Sequence, residues 1–485
     1  MATSAWATGV AACSLSVWVV ASARPRPSGT LVLGIAAGCA ARLGLLWLGL
    51  GAALGEQAEL SSGSATLAAV REGAFLAAQG RSAREGGAFL GPPLLVAWLG
   101  PAALSAQPLW AGVVLCAADV LLALTLWLTA SALGAQPAAQ DEERMLRATV
   151  VDRETGLNNR GLRDFVHVGL ARALPRADAP TAAALVLLLN PWSVLCCAAG
   201  STAQLGALLA AQALLAALLA SSAPVVGLLL ALAAYLDAAY WLIAVPVTLQ
   251  LLQPSAGGSS SSSSSSSSSL GARAGRAVCA LATAAAASAA LIAASAGSWD
   301  REPLLREATA LLQTYRAPYE LRSLAPNVGL WWYLFTEVFP HARQFFRVLL
   351  CAMPLVAVPP LCVALRTRPV LLGHTLLATY LVWRPYPDLG GVGVLLAALA
   401  AHPHSLVRMP ALEAWLVGAV ATAAMLPVMR YMWLAVGSGN ANYYYFQTLG
   451  LQLCLANIIS AFTHASVVRD EHLRLWRDGD KSKRD

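Results

Sequence analysis

Long apolar stretches, separated by short polar or Pro/Gly-punctuated turns, dominate the chain. A helix that spans the hydrocarbon core needs about 20 apolar residues. By that ruler the candidates are 30–50, 111–134, 181–199, 203–222, 223–252, 275–298, 328–340 with 344–366, 369–385, 389–402, 411–436 and 441–466. The pattern predicts an all-α polytopic membrane protein with about 10–12 transmembrane helices. Several stretches are short or interrupted by Pro and Gly, which predicts broken or re-entrant pieces. Such pieces survive at membrane depth only when buried in protein or lining a cavity, so a lipid- or substrate-sized cleft is expected. Residues 5–22 are apolar too and end in Ala-Ser-Ala-Arg at 21–24, a small-x-small pattern that suits signal-peptide cleavage. No basic residue precedes the run, so an extra anchor or a transit segment is equally open, and 1–29 is set apart as an N-terminal extension.

Composition agrees with the bilayer as solvent. Hydrophobic residues make up 58% and charged residues 12%, about half the roughly 25% of a soluble domain. The formal net charge of +7 comes from basic loops, without the aromatic-interleaved stripe of a nucleic-acid binder. Those loops orient the chain through the excess of Arg and Lys on the cytosolic side. Residues 137–180 hold Arg144, Arg147, Arg153, Arg160, Arg163, Arg172 and Arg176. The serine run 259–269, inside a flexible linker over 255–272, precedes Arg273 and Arg276, and the 467–485 tail carries Arg469, Arg474, Arg477, Lys481, Lys483 and Arg484. All three read as cytosolic, which places the 437–442 turn on the lumenal face. The nine cysteines lie mostly in apolar stretches without a CxxC spacing, and Cys196 and Cys197 read as small packing residues.

A charged side chain inside a span marks either function or helix pairing; the candidates are Arg42, Asp119, Asp237, Glu337 and Arg430. Four clusters add to them. In LLLNPWSVL (187–195), Asn190-Pro191 predicts a kinked helix whose freed backbone groups Asn and Ser can satisfy. In LAPNVGLWWYLFTEVFPHARQFF (324–346), Pro326 and Asn327 start a helix that carries Trp331 and Phe335 on one face, with Trp332 and Tyr333 beside them. RPYPDLGGVG (384–393) is a punctuated entry into an apolar helix. GSGNANYYYF (437–446) sets Asn440 and Asn442 before Tyr443, where amides and phenols can bind a phosphate or sugar head group; a helix cap is the alternative. No Gly-rich phosphate loop, HExxH or GxSxG is present, and no metal or cofactor is implied. The first lumenal loop, about 51–90, holds Glu56, Glu59, Glu72 and Glu85 but no Asp, against a lipid-linked-sugar glycosyltransferase. A transporter is the other alternative; it would call for buried charges and inverted repeats.

The same clusters resemble the PIG-U family, a subunit of GPI transamidase. LNPWSVLCC (189–197), LAPNVGLWWYLFTEVF (324–339) and GSGNANYYYF (437–446) carry the likeness, in order. REGAFLAAQG (71–80), ALAAYLDAAYWLIAVP (231–246), SWD (298–300) and RPYPDLG (384–390) add weaker matches, so the resemblance covers roughly 30–475. Departures are FLGPPL (89–94), which lacks the family's His-Glu pair, and Gly391, which stands where the family has an acid.

The resemblance implies a fold similar to the membrane glycosyltransferase (GT-C-like) architecture, and a non-catalytic subunit that binds and presents the GPI lipid in the endoplasmic reticulum membrane. Its partners would be a cysteine-protease-like catalytic subunit and lumenal scaffold subunits. Lipid contacts are expected at Asn440, Asn442, Tyr443, Asn327, Trp331, Trp332 and Tyr333. Asn190, Asp119 and Glu337 are expected to be polar groups held inside the membrane. Lys481 and Lys483, the only lysines of the chain, form a KxKxx ending that resembles a dilysine retrieval signal, and the charge around them predicts an unstructured cytosolic tail.

Overall fold

The computed structural model describes residues 14–20, 27–63, 65–105, 109–136, 139, 141–146, 179–254, 266–296, 301–320 and 324–481. Apart from one isolated bridge pair, Thr66 with Ser201, the described residues are helix and turn. The main helices are α1 (Gly29–Trp47), α2 (Leu67–Ala78), α3 (Pro93–Ala103), α4 (Leu109–Gly134), α5 (Ala179–Leu188) and α6 (Pro191–Ala198). There follow α7 (Ala203–Leu218), α8 (Ala223–Leu236), α9 (Ala244–Leu252), α10 (Ser266–Ala296), α11 (Arg301–Glu320) and α12 (Trp331–Glu337). The chain closes with α13 (Arg343–Leu365), α14 (Pro369–Trp383), α15 (Leu389–Ala400), α16 (Leu412–Tyr431) and α17 (Ala441–Lys481).

Among the described residues, α1, α4, α10, α13, α16 with its π-helical continuation, and α17 are each long and apolar enough to cross a bilayer. The expected 181–199 span is the bent pair α5–α6, broken by 44° at Asn190-Pro191. The shorter apolar helices, α7, α8, α14 and α15 among them, form the interior. Every residue from Gly206 to Ala217 of α7 is buried, as befits a helix that is apolar all round. Small residues let the neighbours close in. A Cβ on Gly227 of α8 would lie 2.2 Å from the Ala280 carbonyl oxygen of α10, the close crossing that membrane helices build from Gly and Ala.

Three sequence expectations are corrected here. The 328–340 stretch is no span, because only the seven residues of α12 are helical. The serine linker is shorter than expected, since α10 already begins at Ser266. The tail does not unravel at Arg469, because α17 continues for 41 residues, about 60 Å against a hydrocarbon core of about 30 Å. Its end is held by side chains. Arg469 Nη1 donates to Ser405 Oγ at 2.8 Å, and Arg477 pairs with Asp141 at 2.9 Å. Lys483, the arginines of 147–178 and the Ala-Ser-Ala-Arg stretch lie outside the described residues.

The break between α5 and α6 explains two of the intramembrane charges. Pro191 has no N–H, so the Leu187 carbonyl loses its helical donor. The Trp192 N–H turns to Asn190 Oδ1 at 2.9 Å, which leaves the Leu188 carbonyl bare as well. Arg42 of α1 reaches both: Nη1 donates to Leu188 O at 2.8 Å and Nη2 to Leu187 O at 3.5 Å. Its Nε donates to Asp119 Oδ2 of α4 at 2.9 Å, and both side chains are buried. Arg42 thus joins α1, α4 and α5 where the backbone ladder fails before Pro191.

Arg42→Met should cost about 3–5 kcal/mol, because it leaves Asp119 buried without its partner. Arg42→Met combined with Asp119→Leu should recover only part, since the two carbonyls still lack donors. Thermal unfolding of the full chain in detergent ranks the three proteins. A double variant as stable as the unmodified protein would exclude the carbonyl role.

Candidate functional site

The two motifs expected to contact lipid, more than a hundred residues apart in the chain, meet each other. α12 and the start of α17 pack side by side, and Tyr333 Oη donates to Asn442 Oδ1 across them. The Tyr333 and Tyr445 rings stack at 4.4 Å, and Tyr445 Oη donates to the Leu330 carbonyl at 3.3 Å. Deeper, Gln452 Nε2 donates to the Val328 carbonyl at 3.0 Å and ties the turn before α12 to α17. Beneath this contact Trp332 is buried among Tyr333, Tyr444, Tyr445 and Trp433, with the Trp433 ring stacked at 6.2 Å. Tilted and edge-on pairs of this kind add about 0.5–1.5 kcal/mol each beyond their buried area.

The expected contact residues therefore divide. Asn440, Asn442 and Tyr443 are exposed on the rim, and Tyr333 is half-buried beside them. Asn440 also caps α17, its Oδ1 accepting from the Tyr443 N–H at 3.2 Å. The cap and the open amide are one side chain. Asn327, Trp331 and Trp332 instead lie under the surface. Asn327 Oδ1 accepts from the Gly329 N–H at 2.7 Å and shapes the turn, while Trp331 faces away, its Nε1 donating to the Trp383 carbonyl at 3.0 Å. Glu337, expected to be held inside the membrane, is exposed at the end of α12. Asn190 caps α6, and Asp119 pairs with Arg42 as described.

Sequence reasoning named Arg430 and Glu59 but not their pairing, and it passed over Trp433. Arg430 Nη1 donates to Gln57 Oε1 at 2.7 Å and lies 3.7 Å from the buried Glu59 carboxylate, so the first loop is locked to the end of α16. Trp433 sits in the π-helical turn Met432–Val436, and Tyr444 is fully buried. A run of three tyrosines does not reveal which ring turns inward; that depends on the helix phase set at Asn440.

At the other end of α14 lies a cavity of about 450 Å³, lined in part by Glu142, Arg368, His404 and Arg469. Arg368 donates to Glu142 and lies 3.2 Å from Asp470. Burial pushes the Glu142 carboxyl up, but Arg469, Arg368 and His404 together hold it below the ordinary glutamate value. Arg273 Nη1 also reaches the Leu252 carbonyl near here, at 3.2 Å. Among the described residues, Arg273, Arg368 and Arg469 therefore gather at the end opposite the rim.

Helices that cross or break within the bilayer, with an amide–aromatic rim at one end and basic segments at the other, define a polytopic α-helical membrane protein. The chain belongs to the PIG-U family: the profile described as GPI transamidase subunit PIG-U matches residues 36–451. It is 31% identical over 157 residues to "GPI transamidase component GAB1 homolog" of Schizosaccharomyces pombe, covering 32% of this chain and 38% of that protein. It is 24% identical over 294 residues to "GPI-anchor transamidase component PIGU" of Homo sapiens, covering 61% and 64%. It is 27% identical over 151 residues to "GPI transamidase component GAB1" of Saccharomyces cerevisiae, covering 31% and 38%. The chain thus spans less than two thirds of each of these relatives' lengths.

Trp332→Ala should destabilise the protein by about 3–5 kcal/mol, whereas Tyr443→Ala on the rim should stay within about 0.5 kcal/mol; melting in detergent measures both. The Glu142 cluster predicts a pH dependence. A carboxyl held below its unfolded value contributes stability that is full above the unfolded pKa and is lost as pH falls through the folded one. Glu142→Gln should flatten that acid limb, and an unchanged melting temperature–pH curve would refute the assignment.

Proposed function

We propose that the chain is a non-catalytic subunit of GPI transamidase that binds the GPI lipid and presents it for attachment to proteins in the endoplasmic reticulum. The observation that carries this reading is the rim. Exposed Asn440, Asn442 and Tyr443 stand over a buried aromatic floor, with Asn442 oriented by Tyr333. Amides and phenols at a membrane boundary supply both donors and acceptors to phosphate and sugar hydroxyls, and the ring edges suit the interfacial zone.

The names of the relatives, each a GPI transamidase component, supply the process. Partner subunits would include a cysteine-protease-like catalytic subunit and lumenal scaffold subunits. α13 offers a face to them or to lipid, since Leu365 is its one buried residue and Phe345, Leu355, Val356 and Val363 point outward. The pairing of Glu59 with Arg430 favours a structural role for the first-loop carboxylate. The basic end would face the cytosol, with Lys481 and Lys483 as a retrieval signal.

Replacing Asn440 and Asn442 together by Ala removes hydrogen bonds to a charged group, each worth about 1.5–3 kcal/mol. GPI affinity should fall at least about tenfold. Surface display of GPI-anchored proteins should fall with it in cells that lack the endogenous subunit. Full rescue with normal GPI binding overturns the proposal. Tyr333→Phe, which releases Asn442, should reproduce part of the defect.

A further inference from the structure

A second cavity, of about 120 Å³, opens between α7, α8, α11, α14 and the loop that follows α14. It draws on two motifs that the rim leaves unexplained, ALAAYLDAAYWLIAVP (231–246) and RPYPDLG (384–390). Asp237, Tyr240, Tyr319, Tyr380, Arg384 and Tyr386 line it.

Its polar groups are held in fixed positions. Asp237 ends α8 and caps the 3-10 turn Ala238–Ile243, with Oδ1 accepting from the Ala239 N–H at 3.0 Å and Oδ2 accepting from Tyr380 Oη. The Tyr240 and Tyr380 rings meet edge to face at 5.5 Å. Arg384 is 9% exposed, and its Nη2 lies 3.1 Å from Asp388 Oδ1. Asp388 is itself fixed, accepting from Ser201 Oγ at 2.7 Å and from the Gly391 N–H at 2.9 Å. Yet Arg384 Nε makes no hydrogen bond within the protein. A buried guanidinium donor left unmade is costly, and here it borders a cavity that can admit the missing acceptor.

We infer that this cavity is a binding site for one neutral sugar ring. Tyrosine faces suit the apolar face of a pyranose, while Asp237 accepts from ring hydroxyls and Arg384 Nε donates to one. The charge balance argues against a phosphate, because Asp237 and Asp388 offset the single guanidinium. At about 120 Å³ the cavity is well under the ~300–1,000 Å³ of a site for a drug-sized ligand, which suits a single ring seated at its open mouth rather than a glycan chain. The site is separate from the rim but shares a wall with it: a Cβ on Gly329, in the turn before α12, would lie 2.7 Å from Pro387 Cδ and 3.1 Å from the Pro385 carbonyl oxygen. A free hexose and a hexose unit of a membrane glycolipid present the same chemistry here. Only the glycolipid source rests on the function proposed above.

Saturation-transfer NMR with methyl hexopyranosides, on the full chain in detergent, tests the site. The expected result is transfer to the unmodified protein, affinity lower by about tenfold or more in Arg384→Gln, and the same Arg384-dependent transfer retained when the rim is removed by Asn440→Ala/Asn442→Ala. Tyr319→Leu, on a different helix, serves as the second variant if Arg384→Gln lowers the melting temperature. No transfer from any hexopyranoside, undiminished transfer in both variants, or displacement of the sugar by inorganic phosphate would each overturn the inference. A GPI glycan freed of its acyl chains separates the two sites. Binding weakened by Arg384→Gln but not by the asparagine pair upholds the sugar pocket while the rim reading falls. Binding weakened by the asparagine pair alone overturns the pocket as a glycan subsite.

Discussion

Backbone carbonyls without helical donors are the constraint on which this fold turns. A bilayer offers no water to satisfy a bare carbonyl, so a side chain that reaches a break in a helix ties two elements together there. Arg42 answers the break before Pro191 and adds Asp119 as its counter-ion. Pro354 leaves the Leu350 carbonyl without its helical donor, and Trp383 Nε1 takes it at 2.8 Å. The Trp383 carbonyl, at the open end of α14, is taken in turn by Trp331 Nε1. These three donors fix α1 to α5, α14 to α13 and α12 to α14. They are polar rivets in a bundle whose interior is built mainly from apolar side chains.

The rivets also build the rim end of the molecule. Because Trp331 is drawn down onto α14, its neighbour Trp332 turns the other way, toward Trp433 and Tyr444, and Tyr333 is left at the rim beside Asn442. The loop Arg384–Asp388 runs from the end of α14 between that rim and the Asp237 cavity, with Ser62 Oγ donating to its Tyr386 carbonyl at 2.8 Å. A site on a rigid helical end with buried support is better positioned than one on a free loop. The π-helical turn at Met432–Val436 fits the same pattern, since local departures from α geometry gather at functional places.

Much of this was legible from residues alone. The apolar lengths predicted the helical membrane fold. Asn190-Pro191 predicted the break, and the three motif clusters pointed to the family. Those signals are local: a hydrophobic run or a proline acts within a few residues of itself.

What the sequence could not decide was partnership. Asp119 and Arg42 were both visible as charges, but nothing in their 77-residue separation says that they pair, or that Arg42 spends two further bonds on carbonyls of α5. Asn327 and Asn442 were both expected to be lipid contacts. Packing made the first a buried turn-former and left the second on the surface. Glu337 counted as intramembrane only while 328–340 passed for a span, and the turn at Val338 sets it outside the packed core. The charged tail read as unstructured because its partners, Ser405 and Asp141, come from distant segments. By itself the sequence determined that the chain is a helical membrane protein and that one helix breaks at Asn190-Pro191. Only tertiary structure decided which side chain answers that break, because that depends on which helices lie side by side.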